Sequence, residues 1–103
     1  MTSEEVKDVA EKILKANSIA QNTHRDLEDV NISWCDMNEV VANLQADIDT
    51  TANKIRIDAA NVDLSDARLE KVIKGATIEE RRLLKTAEGL YVILKSQAYG
   101  MMK

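Results

Sequence analysis

Apolar side chains return every seven residues along most of this chain, at Val6, Ile13, Ala20, Leu27, Trp34, Val41, Ile48, Ile55, Val62 and Leu69. A second series sits three residues further on, at Val9, Ala16, Thr23, Val30, Met37 and Leu44. Such a spacing describes a helix with one apolar stripe, wound against partner helices. Thr2 and Glu5 have the capping-box spacing that starts a helix. No proline occurs, and the first glycine is Gly75. The pattern predicts one long helix over 2–74, on the order of 100 Å long at ~1.5 Å per residue.

Two stretches disturb the pattern. Residues 31–36 (Asn31, Ile32, Ser33, Trp34, Cys35 and Asp36) are indifferent helix formers, and a break near Ser33 would give a compact three-helix bundle instead. Leu27, Val30, Trp34, Met37 and Val41 keep their phase through it, so continuity is the expectation. Further on, Thr51, Asp58 and Ser65 occupy inner positions with polar side chains, while Ala52, Ala59 and Ile73 take over one residue later. That is a local change of coiled-coil register.

Gly75 is expected to end the long helix, with a turn at 75–77. Thr77, Glu79 and Glu80 resemble a second helix start. A C-terminal helix over 78–99 follows, and 100–103 forms a tail beginning at Gly100. Reversal at Gly75 would lay a second stripe of the long helix (Ile57, Ala60, Leu64, Ala67) against Leu83, Ala87, Leu90 and Leu94, small against large.

Composition narrows the class to all-α. Apolar residues make up 45% and aromatic residues 3% of the 103 positions, with no Phe. The core must therefore be aliphatic, and little turn chemistry is left for an all-β fold. A chain of this length holds one helical domain, 1–103. No stretch approaches the ~20 apolar residues of a membrane span, and the first residues lack the apolar run of a secretion signal. With Cys35 as its only cysteine, a cytoplasmic setting is expected. The net charge of −4 is unevenly spread: seven acids and no Lys or Arg lie between Asp26 and Asn53, whereas Arg68, Lys71, Lys74, Arg81, Arg82 and Lys85 cluster around Gly75. The acidic belt argues against nucleic acid. The basic cluster is either a solvated face or a contact for an anionic ligand or acidic partner.

Candidate chemistry is sparse. His24 and Cys35 would lie about 16 Å apart along one helix, too far to share a metal ion. Gln21 occupies the place where a Glu-x-x-His metal pair would need its acid. Asp26 with Asp29 and Asp36 with Glu39 are spaced one turn apart but lack an apolar lining to drive their pKa values apart. No phosphate loop or nucleophile–base constellation is present, so neither a cofactor nor catalysis is expected. The reading is a non-enzymatic interaction protein, a scaffold or adaptor that self-assembles or binds another helical protein. Its seam would be Val6, Val9, Ile13, Leu27, Val30, Trp34, Met37, Val41, Leu44, Ile48, Ile55, Val62 and Leu69. β-Branched residues in both series and uncharged flanks such as Asn31, Asn38 and Gln45 favour three or more chains. The alternative is a small helical binder of an anionic ligand or an inhibitor of a partner protein.

Overall fold

The computed structural model describes residues 1–102, and all of its regular elements are helices: α1 (Ser3–Gln21), α2 (Leu27–Asp58), α3 (Asp66–Ala76) and α4 (Ile78–Met101). The α2 helix packs most extensively on α4 and then on α1, α1 also meets α4, and α3 touches α2. The result is a bundle of α1, α2 and α4, extended at one end by α3, with overall dimensions of 57 × 26 × 16 Å.

The long helix over 2–74 is therefore corrected: the chain breaks twice. At the first break Asn22 ends α1, and its side-chain oxygen accepts the His24 N–H at 2.9 Å. Asp26 then caps α2, accepting the Asp29 N–H at 2.8 Å. Asn and Asp offer the backbone these local alternatives to the helix ladder, so no glycine or proline is needed. At the second break Ala59 ends α2, and Ser65 caps α3 by accepting the Arg68 N–H. The polar drift through Asp58 and Ser65 is thus a helix ending, not a change of coil register.

The alternative break at 31–36 is also corrected. That segment lies well inside α2, where Val30, Ser33 and Met37 are buried. Burial outweighs the modest helix propensity of these residues.

The expected capping box at Thr2 forms in full, with Glu5 returning a bond to the Thr2 N–H. At Thr77 it does not form. The Thr77 hydroxyl instead donates to the Ile73 carbonyl at 2.8 Å and accepts the Arg81 Nε–H at 2.7 Å. The Thr77 N–H also reaches Ile73 O, and the Arg81 N–H reaches Thr77 O, so helical bonds continue on both sides of the junction. Gly75 lies within α3 and turns nothing. Thr77 is a bend through which helical hydrogen bonding continues, and the reversal takes place at 59–65. The tail expected at 100–103 is helical through Met101, and Lys103 lies outside the described residues.

The core is aliphatic. Val9, Ile13 and Ala16 of α1, Val30, Met37, Val40 and Leu44 of α2, and Ala87, Leu90, Leu94 and Ala98 of α4 form one cluster. Ala16, Ala87 and Ala98 are almost fully buried, so these helices approach closely there. At one end the Met1 amino group lies 3.4 Å from Asp47 and 4.0 Å from Glu80, joining α1 to both neighbours. Towards the other, the Gln97 side chain donates to the Ala20 carbonyl at 2.9 Å. Ile73 is the single buried residue of α3, assisted by a half-exposed Arg56–Glu70 pair at 3.4 Å. Such pairs contribute ~0–1 kcal/mol, so Ile73 does most of the pinning.

Ser33 is 1% exposed and its hydroxyl has no hydrogen-bond partner. An unsatisfied buried hydroxyl costs ~1–3 kcal/mol. Ser33→Ala is expected to raise the thermal midpoint by several degrees, whereas Leu44→Ala, which opens a cavity at a fully buried site, should cost ~2–5 kcal/mol. Thermal and urea unfolding followed by circular dichroism measure both. A midpoint lowered by Ser33→Ala would mean that the hydroxyl has a bonding role.

Candidate interaction surface

The residues expected to form a seam between chains are largely folded inward. Val9, Ile13, Val30, Met37, Leu44 and Ile48 are buried within the chain. Val6, Leu27, Trp34, Val41, Ile55 and Leu69 are half-buried, and Val62 is exposed in the 59–65 connection. Within this chain the stripe serves the bundle's own core, and a contact with a second chain would fall on surfaces that remain exposed.

The expected hairpin partners are corrected as well. Ala87, Leu90 and Leu94 are buried and Leu83 is half-buried, but they pack on the α1–α2 core. Ile57 is 73% exposed, Ala60 and Ala67 are exposed, and Leu64 is half-buried. Moving the reversal from Gly75 to 59–65 shifts every cross-chain pair. Arg56 and Glu70 are each seven residues from Asp63, and Trp34 and Tyr91 are nearly equidistant from it.

That register gathers all three aromatic side chains on one surface. The Trp34 ring lies 6.3 Å from Tyr91 and 5.8 Å from Tyr99, the second pair edge to face. These are favourable aromatic geometries, which add to the area they cover. Trp34 and Tyr91 are half-buried and Tyr99 is exposed, so the group lies along the outer groove between α2 and α4. Trp34 is half-buried at the edge of the core, not at its centre. A shallow cavity of about 150 Å³ opens beside it, lined by Trp34, Cys35, Asn38 and Tyr91. The Lys95 ammonium stands 6.0 Å from the Tyr91 ring, at the outer edge of cation–π range. Sequence spacing alone did not mark this site, because Tyr91 and Tyr99 align with Trp34 only once the second break is known.

A larger hollow of about 250 Å³ lies between α1 and α2, lined by Met1, Glu5, Asp8, Val9, Lys12, Val40, Asn43 and Asp47. It is a charged cleft in which Lys12 pairs with Asp8 at 3.5 Å and Asp47 with the Met1 amine. Among the described residues, no three His, Cys, Asp or Glu side chains group to hold a metal ion. His24 is exposed in the loop before α2.

The basic residues do not form a hairpin tip. Arg68, Lys71 and Lys74 lie on α3 and Arg81, Arg82 and Lys85 on α4, all exposed. Because α3 and α4 run on through Thr77, Arg68, Lys71, Lys74, Arg81 and Lys85 follow helical spacings of three, three, seven and four, and so spread into a stripe.

Cys35 is exposed and unpaired. A thiol-specific chromogenic reagent should modify it in the native protein as fast as in the urea-unfolded chain, within about tenfold. Strong native protection would mean that the groove is closed in solution. No family model, curated protein or solved structure matches this chain.

Proposed function

We propose that this protein is a non-enzymatic helical interaction module, an adaptor or scaffold, and that the groove between α2 and α4 receives an apolar side chain from a partner helix. The observation that carries this reading is the placement of all three aromatic residues at one partly exposed groove, while the core is wholly aliphatic. Aromatic side chains with few charges around them are the composition of interface centres. The shallow hollow beside Trp34 and Tyr91 offers an open aromatic surface on which a partner side chain can rest, and the amide of Asn38 supplies a polar rim. The groove is lined by indole, thiol, amide and phenol groups. Self-association into a homo-oligomer belongs to the same reading, with surfaces other than the buried heptad stripe. A reducing, cytoplasmic setting suits the exposed thiol of Cys35.

A second reading, binding of an anionic ligand or partner, is favoured by the basic stripe along α3 and α4. Arg68, Lys71, Lys74 and Lys85 make no ion pair among the described residues. Inorganic phosphate or a sulfated polysaccharide should then raise the thermal midpoint, and Lys74→Glu with Lys85→Glu should cancel the rise. No stabilisation would remove this reading.

The groove itself is tested through Cys35. A benzophenone attached to this thiol and irradiated in an extract of the native cells should form one adduct of defined added mass. Tyr91→Ala should reduce that adduct about tenfold or more with helicity unchanged, as loss of an aromatic anchor does. Adducts indifferent to Tyr91→Ala, or none, would count against the groove as a docking site.

A further inference from the structure

The outward face of α4 is chemically unlike those of α1 and α2. From Gly89 to Leu94 the sequence carries no charged side chain and only the phenol of Tyr91 as a polar group, yet α4 buries only the stripe of Ala87, Leu90, Leu94 and Ala98. Val92 is 63% exposed, Ile93 48% and Tyr99 52%. A helix segment apolar on all sides is expected to be contacted on all sides. Gly89 adds an independent sign. It lies inside α4, where glycine costs ~1 kcal/mol relative to alanine, and a Cβ built there would meet nothing within 4 Å. Packing within the chain therefore does not require a glycine at this position. Gly89, Ile93, Ser96 and Gly100 share one face at spacings of four, three and four, beside Val92.

Charge decides what covers this face. Between Thr86 and Met102 the only charged residues are Glu88 and Lys95. They stand two turns apart on the same flank of the helix, one on each side of Val92, and neither makes an ion pair among the described residues. A second copy laid antiparallel, with its two-fold axis near Val92, brings Glu88 against Lys95 of the other copy twice. A parallel copy would set like charges together. Lys95 is exposed, with its ammonium 6.0 Å from the Tyr91 ring.

We propose that α4 pairs antiparallel with α4 of a second copy, burying Val92 and Ile93 at the centre, letting the backbones approach at Gly89, and closing two Glu88–Lys95 ion pairs. This pairing rests on the interaction-module reading and supplies its homotypic partner. A dimer of this kind is isologous and closed, so it does not propagate into a filament.

Sedimentation velocity and light scattering on the full chain over a wide concentration range test the pairing. The expected mass at high concentration is two chains. Val92→Glu should return it to one, with helicity unchanged. Gly89→Leu is the informative control: it should raise helicity and the thermal midpoint while abolishing the dimer, which separates pairing from folding. Glu88→Lys alone and Lys95→Glu alone should each weaken the dimer about tenfold, and the double exchange should restore it. A single-chain mass throughout, a dimer insensitive to Val92→Glu, or a double exchange that fails to restore pairing would each overturn the proposal. If the chain proves monomeric while the Cys35 adduct still forms and still depends on Tyr91, self-pairing fails and the interaction module stands. If both readouts are empty, both readings fall.

Discussion

Everything in this fold depends on how the apolar stripe of α2 is covered. Val30, Met37, Leu44 and Ile48 are almost fully withdrawn from water, and a helix of 32 residues cannot do that for itself. The chain solves the problem twice over, with α1 returning along one side and α4 along the other. The Met1 amine between Asp47 and Glu80, together with the Gln97 bond to Ala20, then fixes the bundle towards its two ends. Burying apolar area is worth roughly 25 cal/mol per Å², whereas the surface ion pairs contribute little. The stripe therefore governs the architecture and the charges adjust to it.

The way the stripe is covered also explains where the aromatic residues are. Ala16, Ala87, Ala98 and Ser33 occupy the interior, and small side chains there draw the helices together. An indole between helices so close would force off-rotamer side chains or shift the backbone, at a cost of ~1–3 kcal/mol. Trp34 consequently sits at the margin of the stripe, leaning on Tyr91 and Tyr99 instead of filling the centre. A narrow aliphatic core and an aromatic surface groove are two consequences of one packing choice.

Much of this was legible in the sequence, and the errors share a cause. The all-helical class and the start at Thr2 follow from composition and capping chemistry, whereas the box expected at Thr77 does not form. Continuity over 2–74 does not survive, because heptad phase reports which face is apolar and not whether the helix is unbroken. Two helices that present stripes to one core can keep a common phase across a short connection, as Ala20 and Leu27 do on either side of the first loop. The terminating signals were present as Asn22, Asp26, Asp63 and Ser65. Asn22, Asp26 and Ser65 act through side-chain hydrogen bonds to the backbone, which are weaker punctuation than glycine or proline. Conversely, Gly75 and Gly100 looked like terminators and are helical. The aromatic groove was out of reach for the same reason, since it exists only in the register set by the 59–65 reversal.

The contrast between the outer faces of α2 and α4 places the functional weight on α4. The α2 helix buries seven residues and α4 four, and both would satisfy folding with a polar exterior. The α2 helix has one: Glu28, Asn38, Glu39, Gln45 and Asp49 are exposed, and only Ile32 and Ile57 interrupt it as large exposed apolar residues. The second half of α4 instead exposes Val92, Ile93 and Tyr99 together with a glycine that the bundle does not use. Scattered apolar residues on a surface are ordinary, but a contiguous run on one helix is a solubility liability that a folded monomer gains nothing by keeping. Folding requirements account for α1, α2 and the inner side of α4. The outer side of α4 goes beyond those requirements, which is the physical reason to look for this protein's activity there and in the adjoining groove.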